Sequence, residues 1–151
     1  MDRRFFLITL GTMLTATVIA APISSIVTLS GGGNVAPATS LSLSLSGLIP
    51  GVNYNVVCYI DTQNPFQYIL LGSTLADSTS TITSYSLNGN YVMQDQLQVG
   101  QNLVVINGTF NSPSSSTINF TNLDQTNSFN LNNCFGIPQK VPSPSTIGDG
   151  L

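Results

Sequence analysis

Between Thr39 and Ser46 leucine alternates with serine: Leu41, Leu43 and Leu45 fall on one parity, Ser40, Ser42, Ser44 and Ser46 on the other. Successive side chains of a strand point to opposite faces, so the pattern predicts a strand with one face on a core and one in water. The same period of two recurs downstream. Tyr54, Val56, Cys58 and Ile60 share a face, as do Tyr91, Met93, Leu97 and Val99; Val104 and Ile106 lead to Phe110, and Ile118 pairs with Phe120. Turn chemistry separates these runs at Gly47–Gly51, Asn88-Gly89, Gly100–Asn102 and Ser112–Ser116. Such spacing predicts about seven or eight short strands with no helix among them, an all-β chain folded as a single antiparallel β-sandwich or small barrel over residues 39–136. Asp95 falls on the apolar parity of its run. It is read as a bend or bulge that turns the carboxylate to solvent, the alternative being a buried, hydrogen-bonded carboxylate.

The start of the chain follows another pattern. Arg3 and Arg4 precede an uncharged run from Phe5 to Ala20, shorter than the roughly 20 residues a membrane span needs. A positive start, an apolar run and the small residue Ala20 at its end predict a cleavable signal over residues 1–20. Arg3, Arg4, Phe6 and Leu7 resemble the twin-arginine signal, with Asp2 and Ile8 as departures; an ordinary secretory signal is the alternative. The chain is then expected to be secreted or periplasmic, meeting a membrane only during export. Residues 21–38 are expected to be a flexible segment, and 137–151, rich in Pro and Gly, a disordered tail.

Charge narrows the functional classes. After residue 20 one cation, Lys140, stands against five anions, Asp61, Asp77, Asp95, Asp124 and Asp149, a net charge of −4. Nucleic acid is excluded as a partner, because neutralising phosphates takes several Lys or Arg. The chain has no His, and all six of its acids are aspartates, which removes the commonest general base and every Ser-His or Cys-His pairing. Asp61-Thr62-Gln63-Asn64 and Asp124-Gln125-Thr126-Asn127 lack the carboxylate density of a calcium loop. Expectation is therefore no enzyme, no metal and no cofactor.

Gly47 to Val56 carries Leu48, Pro50, Gly51 and Tyr54 at the spacing of a tyrosine corner. The segment is similar to that of fibronectin type III and related immunoglobulin-like domains. The resemblance implies an immunoglobulin-like sandwich serving adhesion or recognition. Pro50 and Gly51 turn the chain, and a buried Tyr54 ring needs a backbone partner for its hydroxyl. The only two cysteines, Cys58 and Cys134, are expected to form a disulfide in an exported chain. Cys134 shares the parity of Asn130 and Asn132, opposite to Phe129, Leu131 and Phe135. Either a bulge near Asn133 restores its direction or the bond ties a tail to the sheet edge.

Tyr59, Tyr68 and Tyr85 are candidates for a recognition surface that meets a protein or a glycan, the competing reading being core packing. Asn107-Gly108-Thr109 and Asn119-Phe120-Thr121 are glycosylation sequons. The function expected is an exported, non-enzymatic binding, adhesion or host/surface-interaction module. Its alternative is the structural subunit of an extracellular polymer, a homo-oligomer in which strands such as Leu41–Ser46 add to a neighbour's sheet; an aspartate-dependent enzyme using Asp95 ranks after both.

Overall fold

A computed structural model describes residues 25–74 and 78–140. Arg3, Arg4, Phe6, Leu7 and Ala20, which carry the expectation of a signal, the acids Asp77 and Asp149, and the residues beyond Lys140 lie outside the described residues. Two antiparallel sheets of six and four strands form a sandwich. The strands are β1 (Val27–Leu29), β2 (Gly33–Val35), β3 (Ser40–Ser44), β4 (Asn53–Thr62), β5 (Gln67–Thr74), β6 (Thr81–Leu87), β7 (Gln94–Leu97), β8 (Gly100–Thr109), β9 (Thr117–Asn122) and β10 (Phe129–Pro138). One sheet runs β1-β10-β4-β8-β6 with β2 also on β10, the other β3-β9-β5-β7.

From β2 to β10 every connection passes from one sheet to the other, so no two consecutive strands pair as a hairpin. The immunoglobulin-type order implied by the Gly47–Val56 resemblance is therefore not formed, since that order pairs its first and second, fourth and fifth, and sixth and seventh strands within a sheet. Instead the first half of the chain pairs with the second half in reverse: Val35 faces Phe129, Ser40 faces Thr121, Asn53 faces Thr109 and Gln67 faces Leu97. The chain is one long antiparallel ribbon, β2–β5 against β10–β7, rolled so that alternate segments fall in opposite sheets. That is jelly-roll pairing, with β6 added beside β8 at the far end of the ribbon.

Rolling works because each strand has one apolar face. Leu43, Tyr54, Val56, Cys58, Ile60, Ile69, Leu71, Val104, Ile106, Ile118, Phe120, Phe129 and Leu131 all turn into the space between the sheets and are buried. Burying a side chain of this size stabilises the fold by roughly 1.5–3 kcal/mol.

Three sequence expectations fail here. Residues 21–38 are expected to be a flexible segment, yet within them Val27–Leu29 and Gly33–Val35 both pair with β10. Between them Gly32 sits at φ +101°, against the carbonyls of Leu131 and Asn132, where a Cβ would lie within 2.8 Å of Leu131 O. At the other boundary β10 runs to Pro138, and the Gln139 amide bonds to Asn53 O. Finally, the run from Tyr91 to Val99 is no core face. Only Leu97 is buried, while Tyr91, Met93 and Val99 are 78%, 50% and 56% exposed. β7 is a four-residue edge strand, too short to carry the whole run inward.

Candidate recognition surface

Because consecutive strands alternate between sheets, the connections β2–β3, β4–β5, β7–β8 and β9–β10 gather at one end of the sandwich. The Ala38 amide donates to Asp124 O (2.9 Å), Leu123 N to Tyr68 O (3.1 Å), and the Asn64 side chain to Ser128 O (3.5 Å). Beneath them the core ends in polar side chains. Thr62, Gln67, Asn102 and Asn122 continue the inward rows of β4, β5, β8 and β9, and all four are buried. Gln67 accepts from Thr62 Oγ1 (2.6 Å) and donates from Nε2 to Asn122 Oδ1 (3.1 Å) and Asn127 O (3.0 Å). Asn122 Nδ2 reaches Val35 O (3.1 Å) and Asn127 O (2.8 Å). Asn102 locks the β7–β8 turn, donating to Gln98 O and Gly100 O and accepting from Gln98 N. Buried amides of this kind are tolerable only when paired, and paired they hold loops in one arrangement.

On this base stand exposed apolar side chains. Phe66, preceded by Pro65, is 75% exposed at φ +60°, a backbone region bulky residues rarely occupy. Tyr68 is 44% exposed. With Leu123, Asp124, Gln125 and Gln94 these two rings line an open depression of about 430 Å³. Asp124 shapes its rim, accepting from the amides of Thr126 (2.7 Å) and Asn127 (2.8 Å) and from the Thr126 hydroxyl (3.1 Å). Those backbone donors, Thr126 first, hold its carboxyl below the ordinary aspartate range. A second groove on the other side of Phe66 includes Pro65, Asp95 and Val99.

The candidate tyrosines do not form one surface. Tyr68 lies on the outer face of the four-stranded sheet, and Tyr59, half-buried, on the outer face of the six-stranded sheet. Tyr85 turns inward beside Ile106, packs against the core and donates its hydroxyl to Ser73 Oγ (3.1 Å). Asp95 stays in regular register opposite Ile69, with no bulge, and its carboxylate accepts from the Gln96 amide at 2.8 Å. The sequon residue Asn107 is tied to Asn53 and Asn55 on the six-stranded sheet, and Asn119 donates to Thr74. Among the described residues no three His, Cys, Asp or Glu side chains come together.

In the Gly47–Val56 segment Leu48 and Tyr54 are buried, Gly51 turns at φ +81°, and the Tyr54 hydroxyl accepts from the Ile49 amide at 2.9 Å. Cys58 and Cys134 are disulfide-bonded across β4 and β10, both buried. A bond of this type suggests an oxidising, extracytoplasmic environment.

No family model matches the chain, and no curated protein matches it. The surface must be read from its own chemistry. Phe66, Gln67, Asn102 and Asn122 were missed in the sequence. The buried amides had a signal, each being a polar residue on inward parity at the end of an apolar row; Phe66 had none beyond its place after Pro65.

Proposed function

We propose that this chain is an exported, non-enzymatic binding module that meets a glycan or protein partner through the loop end bearing Phe66, Tyr68 and Leu123. Phe66 carries the reading. A phenylalanine three-quarters exposed and held at positive φ has neither packing nor backbone preference to account for it, and conformations of this sort persist where a surrounding frame imposes them and a function uses them. The Thr62–Gln67–Asn122 network is such a frame. Rings beside amide and carboxylate groups suit a ligand with apolar faces and hydroxyl or amide donors. Jelly rolls include lectin domains, an analogy of fold only. Export through residues 1–20 accords with the oxidised cysteine pair.

The test is binding to an array of glycans and extracellular proteins, followed by titration of each hit into native protein and a Phe66→Ala/Tyr68→Ala variant. The variant is expected to lose affinity by about tenfold or more while keeping its thermal midpoint. Equal binding by the variant, or no hit on the array, overturns the proposal. Intact mass of protein from the native host tests export separately: the expected chain begins at Ala21 with both thiols oxidised.

A further inference from the structure

A sandwich that is not closed has edges, and here the edges differ. At β7 the bond from Leu71 N to Met93 O (2.7 Å) sets the alternation, so Met93, Asp95 and Leu97 direct their backbone groups to β5 and those of Gln94 and Gln96 point outward. The outward Gln96 N–H is covered by the Asp95 carboxylate, and a charge on a short strand discourages pairing with another chain. β6 carries a register shift between Ile82 and Ser84. The β1/β2 edge consists of two three-residue strands broken at Gly31 and Gly32, both at positive φ.

β3 has none of these devices. It pairs with β9 in unbroken register from Ser40↔Thr121 to Ser44↔Thr117 and carries neither charge nor proline. The flanking bonds Asn122 N to Thr39 O (2.8 Å) and Leu45 N to Ser116 O (3.2 Å) assign the odd residues to β9. The backbone N–H and C=O of Ser40, Ser42 and Ser44 therefore face away from the sheet. Two of the serine side chains do not obstruct this edge, since Ser40 and Ser42 bond to Thr121 and Asn119 on the outer face.

Ser40-Leu41-Ser42-Leu43-Ser44 also reads the same in both directions. An antiparallel pair of two β3 strands with Ser42 on the two-fold axis sets Ser40 against Ser44, Leu41 against Leu43 and Ser42 against its own copy. Serine backbone then meets serine backbone, giving about six hydrogen bonds, and the half-buried Leu41 gains an apolar neighbour across the axis. We infer that the protein forms a symmetric dimer through β3, joining two four-stranded sheets into one of eight strands. Such an interface is isologous and closes after two copies. It leaves the Phe66 surface free and does not depend on that surface's function.

The experiment is sedimentation of the disulfide-bonded protein over roughly 1–100 µM, a range that brackets a micromolar dimer, beside Ser42→Pro, Ser42→Lys and Ser42→Cys. Native protein is expected to shift from monomer to dimer with concentration. Ser42→Pro removes an amide hydrogen that the fold itself does not use, a placement edge strands tolerate, and is expected to stay monomeric with unchanged circular dichroism. Should that variant not fold, Ser42→Lys sets like charges against each other on the axis, and is expected to weaken dimerisation about tenfold or more in low salt. Ser42→Cys is expected to oxidise to a covalent dimer, because Cα atoms in a hydrogen-bonded pair lie about 5.5 Å apart, within disulfide reach; Gln96→Cys, on the β7 edge, is not. A native monomer at every concentration, folded Ser42 variants that dimerise like native, or cross-linking at Gln96→Cys without cross-linking at Ser42→Cys overturns the inference.

Discussion

Cys134 stands opposite Cys58 because two residues of β10, Asn132 and Asn133, occupy the space facing one residue of β4, Tyr59. Leu131 pairs with Ile60 and Cys134 with Cys58, with the register shift between them. Both asparagines are exposed, and after them the inward parity of β10 is reversed, so that Cys134 and Gly136 are buried while Phe135 and Ile137 turn outward. The bulge, rather than a tail bound to the edge, brings the second cysteine to the core.

The bond spans 76 residues of chain, and loop entropy assigns about 4.5 kcal/mol to a closure of that length. Cys58→Ala/Cys134→Ala is expected to lower the urea midpoint and to raise the m-value, because the unfolded chain freed of its 76-residue loop exposes more surface. Deleting Asn133 is expected to prevent the disulfide from forming, read as two titratable thiols.

Gly136 packs against Leu48 and the Tyr54 ring so closely that a Cβ would collide with Leu48 Cδ2. Gly136→Ala is expected to destabilise by about 1–3 kcal/mol, whereas Gly72→Ala, with nothing within 4 Å of the added carbon, is expected to be neutral or mildly stabilising. Tyr54→Phe leaves the Ile49 amide without its acceptor and is expected to cost about 1–2 kcal/mol. Thermal midpoints of the three variants check the ordering.

Gln67 is the hinge of the buried amide network. Gln67→Leu removes the partner of the Thr62 hydroxyl and the donor to Asn122 Oδ1 and Asn127 O; a loss of about 2–3 kcal/mol is expected, with faster amide exchange over 123–127. Gln67→Glu places an oxygen against two acceptors. Its destabilisation is expected to exceed that of Gln67→Leu at neutral pH and to lessen in acid, where the protonated carboxyl can donate again.

Asp124 has its carboxyl held below its ordinary value of 3.8 by the Thr126 and Asn127 amides. The charged form is the one favoured in the fold, so this contribution is full above the ordinary value and is lost as pH falls through the depressed one. Carboxyl NMR titration is expected to give a midpoint below 3.8 that rises towards that value on Thr126→Pro, which lacks the amide donor.

Strand existence and face were legible from local pattern because a strand's side-chain period is two whatever its partners. The rows Leu43–Leu45, Tyr54–Ile60, Val104–Ile106 and Ile118–Phe120 are buried. The run from Tyr91 to Val99 misled, since parity reports direction and not whether a neighbour covers that side. The surface around Phe66 was illegible for a related reason: Phe66 and Tyr68 are near neighbours, but Gln94, Leu123, Asp124 and Gln125, which complete it, come from segments far away in sequence.

Sequence alone determined a β-sandwich domain, the inner and outer faces of β3, β4, β8 and β9, the turn at Pro50-Gly51 and the buried tyrosine that follows it. Each depends on a residue and its near neighbours, where sterics and alternation suffice. Only the tertiary structure decided the pairing of each strand, the bulge that redirects Cys134, the joining of 27–35 to β10, and the gathering of Phe66, Tyr68 and Leu123 at one end. Those depend on which distant segments meet when the long ribbon rolls to bury every apolar face at once, and a list of parities does not contain that choice.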